Sequence, residues 1–199
     1  MMEEQYVKWA MWLAAAYFAG AVPFGFLIGK MRGVDVRTVG SKNIGATNVF
    51  RTVGKKWGLL AFLCDFLKGF LPTLAAVKYA GCGGDLPVAV GLACVIGHTL
   101  TVFMKFRGGK GVATAFGMMV ALIPYLALGA LALFIVTVWL SHYISLGSCL
   151  AAGALGVAVW FCGCPMSLKV VVALIAVFVI LKHKSNIRRL IDGCENKIY

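Results

Sequence analysis

Residues 105–111, with the sequence KFRGGKG, separate two apolar stretches of the chain. The stretch before them, residues 86–104, has no acidic or basic side chain except His98, and the stretch after them, residues 112–181, has a single charge, Lys169. Apolar stretches of this kind are typical of membrane helices, and short basic loops favour the cytoplasmic face. The segment 105–111, called the glycine loop below, therefore predicts a cytoplasmic boundary between membrane spans.

The composition of the whole chain also indicates an integral membrane protein. Of its 199 residues, 61% are hydrophobic and 13% are charged, and the mean hydropathy is +0.91. Soluble domains carry about 25% charged residues. We therefore expect an all-α membrane protein that forms a single domain over residues 1–199.

The basic residues are grouped rather than spread along the chain. Of the 19 Lys and Arg residues, seven lie in residues 30–56, three in 105–110 and five in 182–197. Such groups are expected on the cytoplasmic side. The net charge of +12 does not predict nucleic-acid binding, because no base-stacking or groove-reading motif accompanies it.

Turn signals and charge placement together predict seven membrane helices, with the N-terminus outside and the C-terminus inside. The predicted spans are residues 9–29, 57–77, 86–104, 112–123, 124–140, 144–161 and 167–181. Because the glycine loop and the basic tail should both be cytoplasmic, the chain must cross an even number of times between them. The piece 112–123 would reach only ~18 Å of a ~30 Å core, so we expect a short helix buried among the others.

The glycine loop is the first candidate binding site. Its three glycines, Gly108, Gly109 and Gly111, permit a tight turn whose N–H groups can surround an anion, and Lys110 adds a point charge. A phosphate is the most plausible ligand. The alternative is an ordinary basic loop at the cytoplasmic face.

Two further polar clusters carry similar chemistry. Residues 40–51, GSKNIGATNVFR, combine small hydrogen-bonding side chains with Arg51, which can grip a phosphate in a bidentate manner. Residues 183–195, HKSNIRRLIDGCE, place His183 and Asn186 on one helical face. The alternatives are a capped loop that starts the second span and a basic tail bound to anionic lipid heads.

Ionisable groups also occur inside the predicted spans. Asp65 and Lys68 are spaced to pair on one helical face, and we interpret them as a structural pair. His98 is interpreted as a neutral histidine that a neighbouring helix satisfies.

All three polar clusters are predicted on the same side of the membrane. This placement indicates one anion-rich site at the cytoplasmic face, enclosed by helices that can accept an acyl chain. The rival interpretations are a transporter of a phosphorylated or lipid anion, which would need an exit to the outer face, and a non-catalytic scaffold, which leaves the three clusters unexplained.

The three blocks 40–54, 97–114 and 183–195 resemble the bacterial acyl-phosphate:glycerol-3-phosphate acyltransferase family of membrane enzymes. The resemblance implies transfer of a fatty acyl group from acyl phosphate to the 1-hydroxyl of glycerol 3-phosphate, giving lysophosphatidate. Three departures stand out: Lys42 where the family usually has glycine, Leu100-Thr101 for a usual Phe-Pro, and Lys184 for a common arginine.

The resemblance also implies roles for individual residues. The acyl-phosphate group is expected at Thr47, Gly108, Gly109 and Gly111, and glycerol 3-phosphate at Ser41, Arg51, Lys110, His183 and Asn186. Of these, Lys110, His183 and Asn186 are the expected catalytic residues. The supporting residues are expected to be Asn43, Asn48, His98 and Glu195.

The remaining expectations concern partners and location. No metal or cofactor is expected, because lysine and arginine can supply the countercharge. The expected partners are acyl phosphate, glycerol 3-phosphate and membrane lipid, with no obligate protein partner. The expected location is the bacterial inner membrane, with the active site facing the cytoplasm.

Overall fold

The computed structural model describes residues 2–81 and 84–198, and in this part of the chain the regular elements are all helices. The all-α prediction is therefore confirmed for the described residues. The α-helices are α1 (Met2–Ala21), α2 (Phe24–Met31), α3 (Ala46–Thr52), α4 (Lys55–Ala80), α5 (Asp85–Thr99), α6 (Val112–Leu122), α7 (Pro124–Ser141), α8 (Ile144–Ala158), α9 (Met166–Lys182) and α10 (Lys184–Ile191).

Five helical segments of the described chain are long and apolar enough to cross a membrane, and a sixth is obtained if α9 and α10, bent by 54°, are taken as one. The five are Met2–Met31, Lys55–Ala80, Asp85–Met104, Pro124–Ser141 and Ile144–Phe161. Helix α6 has 11 residues and is the predicted short helix. The count of seven spans and the orientation in the membrane stay predictions. The connection between the predicted spans 57–77 and 86–104 includes Cys82 and Gly83, which lie outside the described residues.

The chain forms two compact units, residues 1–122 and residues 123–199, which are described separately. The expected single domain stays a prediction. In the first unit, α1 packs on α5, and α4 packs on α3, α5 and α6. Small residues allow close contact: a Cβ on Gly69 of α4 would collide with the backbone of Thr114 in α6. Such close approach of small residues is how membrane helices gain packing energy.

The first predicted span is broken at Pro23, which separates α1 from α2. Proline lacks an N–H, so the break leaves carbonyl oxygens of α1 without their helical donors. Two distant side chains donate at this break: the Thr101 hydroxyl donates to Ala21 O, at the end of α1, at 2.6 Å, and Lys68 Nζ donates to Val22 O at 2.7 Å. In an apolar environment such partners take the place of the water that would otherwise satisfy these carbonyl groups.

In the second unit, α8 packs on both α7 and α9, and α10 contacts α8 and α9. His183 ends α9 and begins α10, and its backbone N–H donates to Val179 O and Ile180 O. The bend at this residue turns α10 away from the axis of α9. Ile198 N donates to His142 O, which ties the end of the chain to the α7–α8 turn.

Candidate active site

The glycine loop folds back onto the C-terminal end of α5. Gly108 N donates to Thr99 O at 3.1 Å, and Gly109 N donates to His98 O at 3.2 Å. A Cβ on Gly108 would collide with the backbone carbonyl of His98, so only glycine fits there. Two N–H groups that the sequence interpretation assigned to a phosphate are therefore used in this structure to attach the loop to α5.

The loop ends at Gly111, whose φ of +82° is a conformation that other residues rarely adopt. This turn directs the chain into α6, and Ala115 N donates to Gly111 O in its first turn. The N–H groups at the start of an α-helix have no intrahelical acceptor and form a natural anion site. Lys110, half-buried, lies two residues before the first residue of α6. The N-terminus of α6 is thus the part of the loop best suited to a phosphate.

A pocket of about 690 Å³ opens beside the glycine loop. Its walls carry four cations, together with Asn43 and Gly108 from the expected site. The lining residues are Arg37, Lys42, Asn43, Ile44, Phe103, Met104, Lys105, Arg107 and Gly108. The volume is typical of small-molecule sites, and the charge favours an anionic ligand. The structure therefore brings the first two polar clusters of the sequence to one pocket.

Left-handed backbone occurs at two residues that line this pocket, Lys42 and Lys105, and at Phe106, which follows Lys105. Lys42 has φ +56°, Lys105 has φ +53° and Phe106 has φ +61°. Each such residue costs of order 1–3 kcal/mol. Lys42, which departs from the glycine usual in the resembling family, keeps the conformation that glycine adopts easily. The loop shape is therefore compatible with the substitution, at the cost of some strain.

Asn48 organises the loop before α3. It is 1% exposed, its Oδ1 accepts from Ser41 N at 2.8 Å, and its Nδ2 donates to Val36 O at 2.7 Å. Asn43 Oδ1 similarly accepts from Gly45 N at 2.8 Å, which shapes the turn into α3. Both residues thus support the local backbone.

The remaining expected residues of this cluster occupy more open positions. Ser41 is exposed, and Thr47 and Arg51 lie half-buried on α3. None of these three residues is fully buried.

Several nearby cations are held by other groups. Arg37 donates to both carboxylate oxygens of Asp35, at 2.9 and 2.7 Å, and stacks over Phe26 at 4.5 Å. These hydrogen bonds hold the pKa of Asp35 well below its usual range. Arg32 lies over Trp57, 4.9 Å from its ring. The sequence interpretation did not recognise these contacts, which give the first basic block a structural role.

The third cluster, in the second unit, is built around Glu195. The Glu195 carboxylate accepts from Asn186 Nδ2 at 2.6 Å, from Ser145 Oγ at 2.9 Å and from Arg189 Nε at 2.7 Å. Burial raises the pKa of Glu195, but hydrogen bonds from Asn186, Arg189 and Ser145 outweigh that effect, so its pKa lies below the ordinary value. The carboxylate therefore stays ionised and orients the Asn186 amide.

His183 is buried, with 3% of its surface exposed. Its Nδ1 lies 2.7 Å from Val179 O. Because a carbonyl only accepts, Nδ1 carries the proton and Nε2 is the acceptor of the neutral ring. This geometry fixes which ring nitrogen could receive a proton or a hydrogen bond from a hydroxyl group.

The interior pair Asp65–Lys68 is confirmed, with Lys68 Nζ 2.8 Å from Asp65 Oδ1. His98 joins this pair: its Nδ1 lies 3.6 Å from the same Asp65 oxygen. The opposite edge of the ring lies against Gly109, where a Cβ would collide with Nε2. The sequence interpretation missed the link between Asp65 and His98, because the two residues are 33 positions apart on different helices.

Comparison with known proteins gives consistent matches over nearly the whole chain. A family model described as glycerol-3-phosphate acyltransferase matches residues 10–193. A protein of that name from Trichlorobacter lovleyi is 50% identical over 186 residues, covering 94% of this chain and 95% of the relative. One from Aquifex aeolicus is 43% identical over 187 residues, covering 92% and 95%.

Solved structures agree with these relatives. The crystal structure of PlsY (YgiH), an integral membrane glycerol 3-phosphate acyltransferase, in its glycerol 3-phosphate form has a TM-score of 0.93 and 40% identity, with 96% of each chain covered. Its lysophosphatidic acid form has a TM-score of 0.90 and 39% identity, with the same coverage. The chain described here is thus an integral membrane protein that belongs to the glycerol-3-phosphate acyltransferase family.

Proposed function

We propose that this protein transfers a fatty acyl group from acyl phosphate to the 1-hydroxyl of glycerol 3-phosphate, giving lysophosphatidate and phosphate. The observation that carries the proposal is the glycine loop, which lines a pocket with four cations through Lys105, Arg107 and Gly108 and then leads into the N-terminus of α6. Relatives named glycerol-3-phosphate acyltransferase, and the two ligand forms of the solved neighbour, support the acceptor and the product.

The proposed reaction is a direct displacement at the acyl carbonyl. The hydroxyl oxygen of glycerol 3-phosphate attacks the carbonyl carbon, an ester C–O bond forms, and the bond to the phosphate oxygen breaks. Phosphate leaves with the bonding electrons, and the hydroxyl proton passes to a phosphate oxygen. Because the leaving group is good, catalysis can rest on positioning the two phosphates and neutralising their repulsion.

The donor is assigned to the first unit. Its phosphate is placed at the N-terminus of α6 next to Gly111, with the Thr47 hydroxyl as a further donor. Gly108 and Gly109 act there by fixing the loop on α5, since their N–H groups donate to Thr99 and His98. A thioester donor lacks the acyl-linked phosphate that this arrangement would bind.

The acceptor is assigned to cations and to neutral hydrogen-bonding groups. Ser41, Arg51 and Lys110 bind the phosphate of glycerol 3-phosphate. In the second unit, His183 and Asn186 hydrogen-bond its hydroxyl groups. The Asn186 amide is oriented for this by Glu195, and His183 offers Nε2 as an acceptor.

The reaction is proposed at the cytoplasmic face of the bacterial inner membrane. The support is the grouping of basic residues in 30–56, 105–110 and 182–197. Labelling of single cysteines in a cysteine-free background should place residues 105–110 and the tail after Lys182 inside. Labelling of the tail from the outside would contradict both the orientation and the proposed site.

The direct test uses purified protein with glycerol 3-phosphate and either acyl phosphate or acyl-CoA. We expect lysophosphatidate from acyl phosphate and negligible product from acyl-CoA. Comparable rates with both donors would overturn the assignment of the glycine loop to the donor phosphate. Transport of labelled substrate into proteoliposomes, without product formation, would favour a transporter instead.

A further inference from the structure

A chain of buried polar contacts runs through the first unit. It starts at the helix break before Pro23, where Lys68 Nζ donates to Val22 O at 2.7 Å. Lys68 Nζ also lies 2.8 Å from Asp65 Oδ1, and the side chains of Lys68 and Asp65 are 4% and 3% exposed. Burying two charges among apolar helices is costly even when they are paired. The cost indicates that this pair does more than fill space.

The chain of contacts continues to His98. Its Nδ1 faces Asp65 Oδ1 at 3.6 Å and has no hydrogen-bond partner in the part of the chain that the structure describes. At this distance the contact is electrostatic rather than a hydrogen bond, and a carboxylate that faces one ring nitrogen favours the proton on that nitrogen. The other nitrogen, Nε2, then lies at the edge of the ring that meets Gly109. The imidazole connects a buried ion pair to the glycine loop.

We propose that Asp65 and His98 are positioning residues for the acyl transfer: the Lys68–Asp65 pair holds the His98 ring, and the ring sets the position of the glycine loop. The inference rests on the proposed function in one respect, since it takes the loop as the binding site of the donor phosphate. It adds that the side chain packed against this site, His98, is linked through the Lys68–Asp65 ion pair to the helix break before Pro23.

The three glycines of the loop differ in what surrounds them. A Cβ on Gly109 would meet the side chain of His98, whereas a Cβ on Gly108 would meet the backbone of His98 and Thr99. Gly111 is constrained by its φ of +82°. Only at Gly109 can removal of the His98 ring relieve the collision. This difference separates a specific His98–Gly109 contact from a general dependence of the loop on glycine.

The first experiment measures amide hydrogen exchange over residues 105–112 in the full chain in lipid nanodiscs. In Asp65→Asn and His98→Gln, we expect several-fold faster exchange in this segment, while α1 and the core of α4 keep their protection. The matched control is Thr73→Val, which removes a buried hydroxyl from the same helix as Asp65. Unchanged exchange in the loop of His98→Gln would overturn the proposal.

Exchange requires no substrate, so its result is independent of the proposed function. If Asp65→Asn does not fold, His98→Gln decides the question, because it leaves the Lys68–Asp65 pair intact. Wild-type activity with acyl phosphate, measured in parallel, tests the donor assignment separately. If the wild-type protein is slow with acyl phosphate but the loop of the variants exchanges faster, the assignment of the donor is contradicted. The positioning role of Asp65 and His98 is then retained.

The second experiment is a double-mutant cycle on kinetics. Gly109→Ala and His98→Ser should each raise the KM for acyl phosphate by about tenfold or more, since misplacement by ~1 Å can cost about 10²-fold. The double variant should be no worse than either single variant, because the new methyl group occupies space that the ring has left. In the control pair Gly108→Ala and His98→Ser, the two effects should multiply.

Multiplying effects in both cycles would overturn the proposed contact between His98 and Gly109. A change in kcat alone, with an unchanged KM for acyl phosphate, would do the same. If the effects on KM fail to multiply only in the Gly109 cycle, His98 acts on the loop through its contact with Gly109. A histidine with a purely structural role would not give this result.

Discussion

The glycine loop of the first unit and the segment 183–195 of the second are both candidate ligand-binding regions, but they are held in opposite ways. The loop is attached by backbone hydrogen bonds from Gly108 and Gly109 to the end of α5. The segment 183–195 is attached by side chains that converge on the Glu195 carboxylate. The loop therefore depends on the absence of side chains, whereas the tail segment depends on the presence of particular ones.

This difference predicts how each region fails when it is altered. In the loop, an added methyl group should displace backbone and change substrate binding. In the tail segment, loss of one carboxylate leaves several donors unsatisfied at once. Substitutions can therefore test the comparison, beginning with the one of largest expected effect.

Glu195→Ala should have the largest effect on stability. The Glu195 side chain is 1% exposed, and its removal leaves Asn186, Arg189 and Ser145 without their acceptor. Leaving a buried hydrogen-bonding group without its partner costs about 1–3 kcal/mol. Denaturant unfolding in detergent measures the loss. The control is Asp192→Ala, which removes a 53% exposed carboxylate and should have little effect; equal losses would contradict the central role of Glu195.

Gly111→Ala should reduce activity strongly with a moderate loss of stability. Its φ of +82° makes alanine strained by about 1–3 kcal/mol and shifts the start of α6. Steady-state kinetics should show an increased KM for acyl phosphate. Gly33→Ala is the matched control, because Gly33 has φ +74° with no atom near the added Cβ. A similar loss of activity in both variants would mean that strain alone matters.

His183→Gln should raise the KM for glycerol 3-phosphate and leave the shape of the pH–rate profile nearly unchanged. The reason is that His183 is proposed to position the acceptor while a phosphate oxygen takes the proton. A general base would contribute about 10²–10⁴ in rate. If the variant loses that much turnover at saturating substrate and its acidic limb disappears, His183 is the base instead.

Acid should loosen the segment 183–195. Because the folded pKa of Glu195 lies below its ordinary value of 4.5, its stabilisation is fully present above that pH and is lost as the pH falls through the lower folded pKa. The protection factors of residues 183–195, which compare observed amide exchange with the intrinsic rate at the same pH, should therefore fall in acid. Glu195→Gln should already exchange faster at neutral pH and lose most of this pH dependence; an unchanged acid response in Glu195→Gln would assign it to another group.

Thr101→Val should have the smallest effect. It removes the hydroxyl that donates to Ala21 O at the Pro23 break. Hydrogen bonds between membrane helices average about 0.6 kcal/mol, with a maximum of about 1.7. Thermal unfolding should show a loss of this size, with Ser148→Ala, an intrahelical hydrogen bond, as the control. A large loss of activity without a loss of stability would give Thr101 a role in the site.

Much of the helical pattern could be predicted from the sequence. The predicted spans 57–77 and 124–140 correspond to Lys55–Ala80 and Pro124–Ser141, because long apolar stretches leave the chain few alternatives to a helix. The first predicted span, residues 9–29, is instead divided into α1 and α2 at Pro23, which cannot continue the backbone hydrogen bonds. The short helix α6 was predicted from turn signals and charge placement.

The candidate site was only partly predictable. The residue types that suit a phosphate, such as Arg51, Lys110 and His183, are visible in the motifs. The hydrogen bonds from the Gly108 and Gly109 N–H groups to α5 could not be predicted from the motifs, because they depend on where α5 ends in space. The contact between Asp65 and His98 could not be predicted either, because it is formed between two helices.

The sequence by itself determined that this is an α-helical membrane protein with three basic, phosphate-compatible clusters, since hydropathy and charge act locally along the chain. Only the tertiary structure decided which donors the Pro23 break recruits, which groups Glu195 binds and what lies beneath Gly109. Those contacts depend on helix packing, and packing is set by the close approach of small residues on neighbouring helices such as Gly69 and Thr114. Close contact depends on the surfaces of both helices, so it cannot be predicted from either segment of the sequence alone.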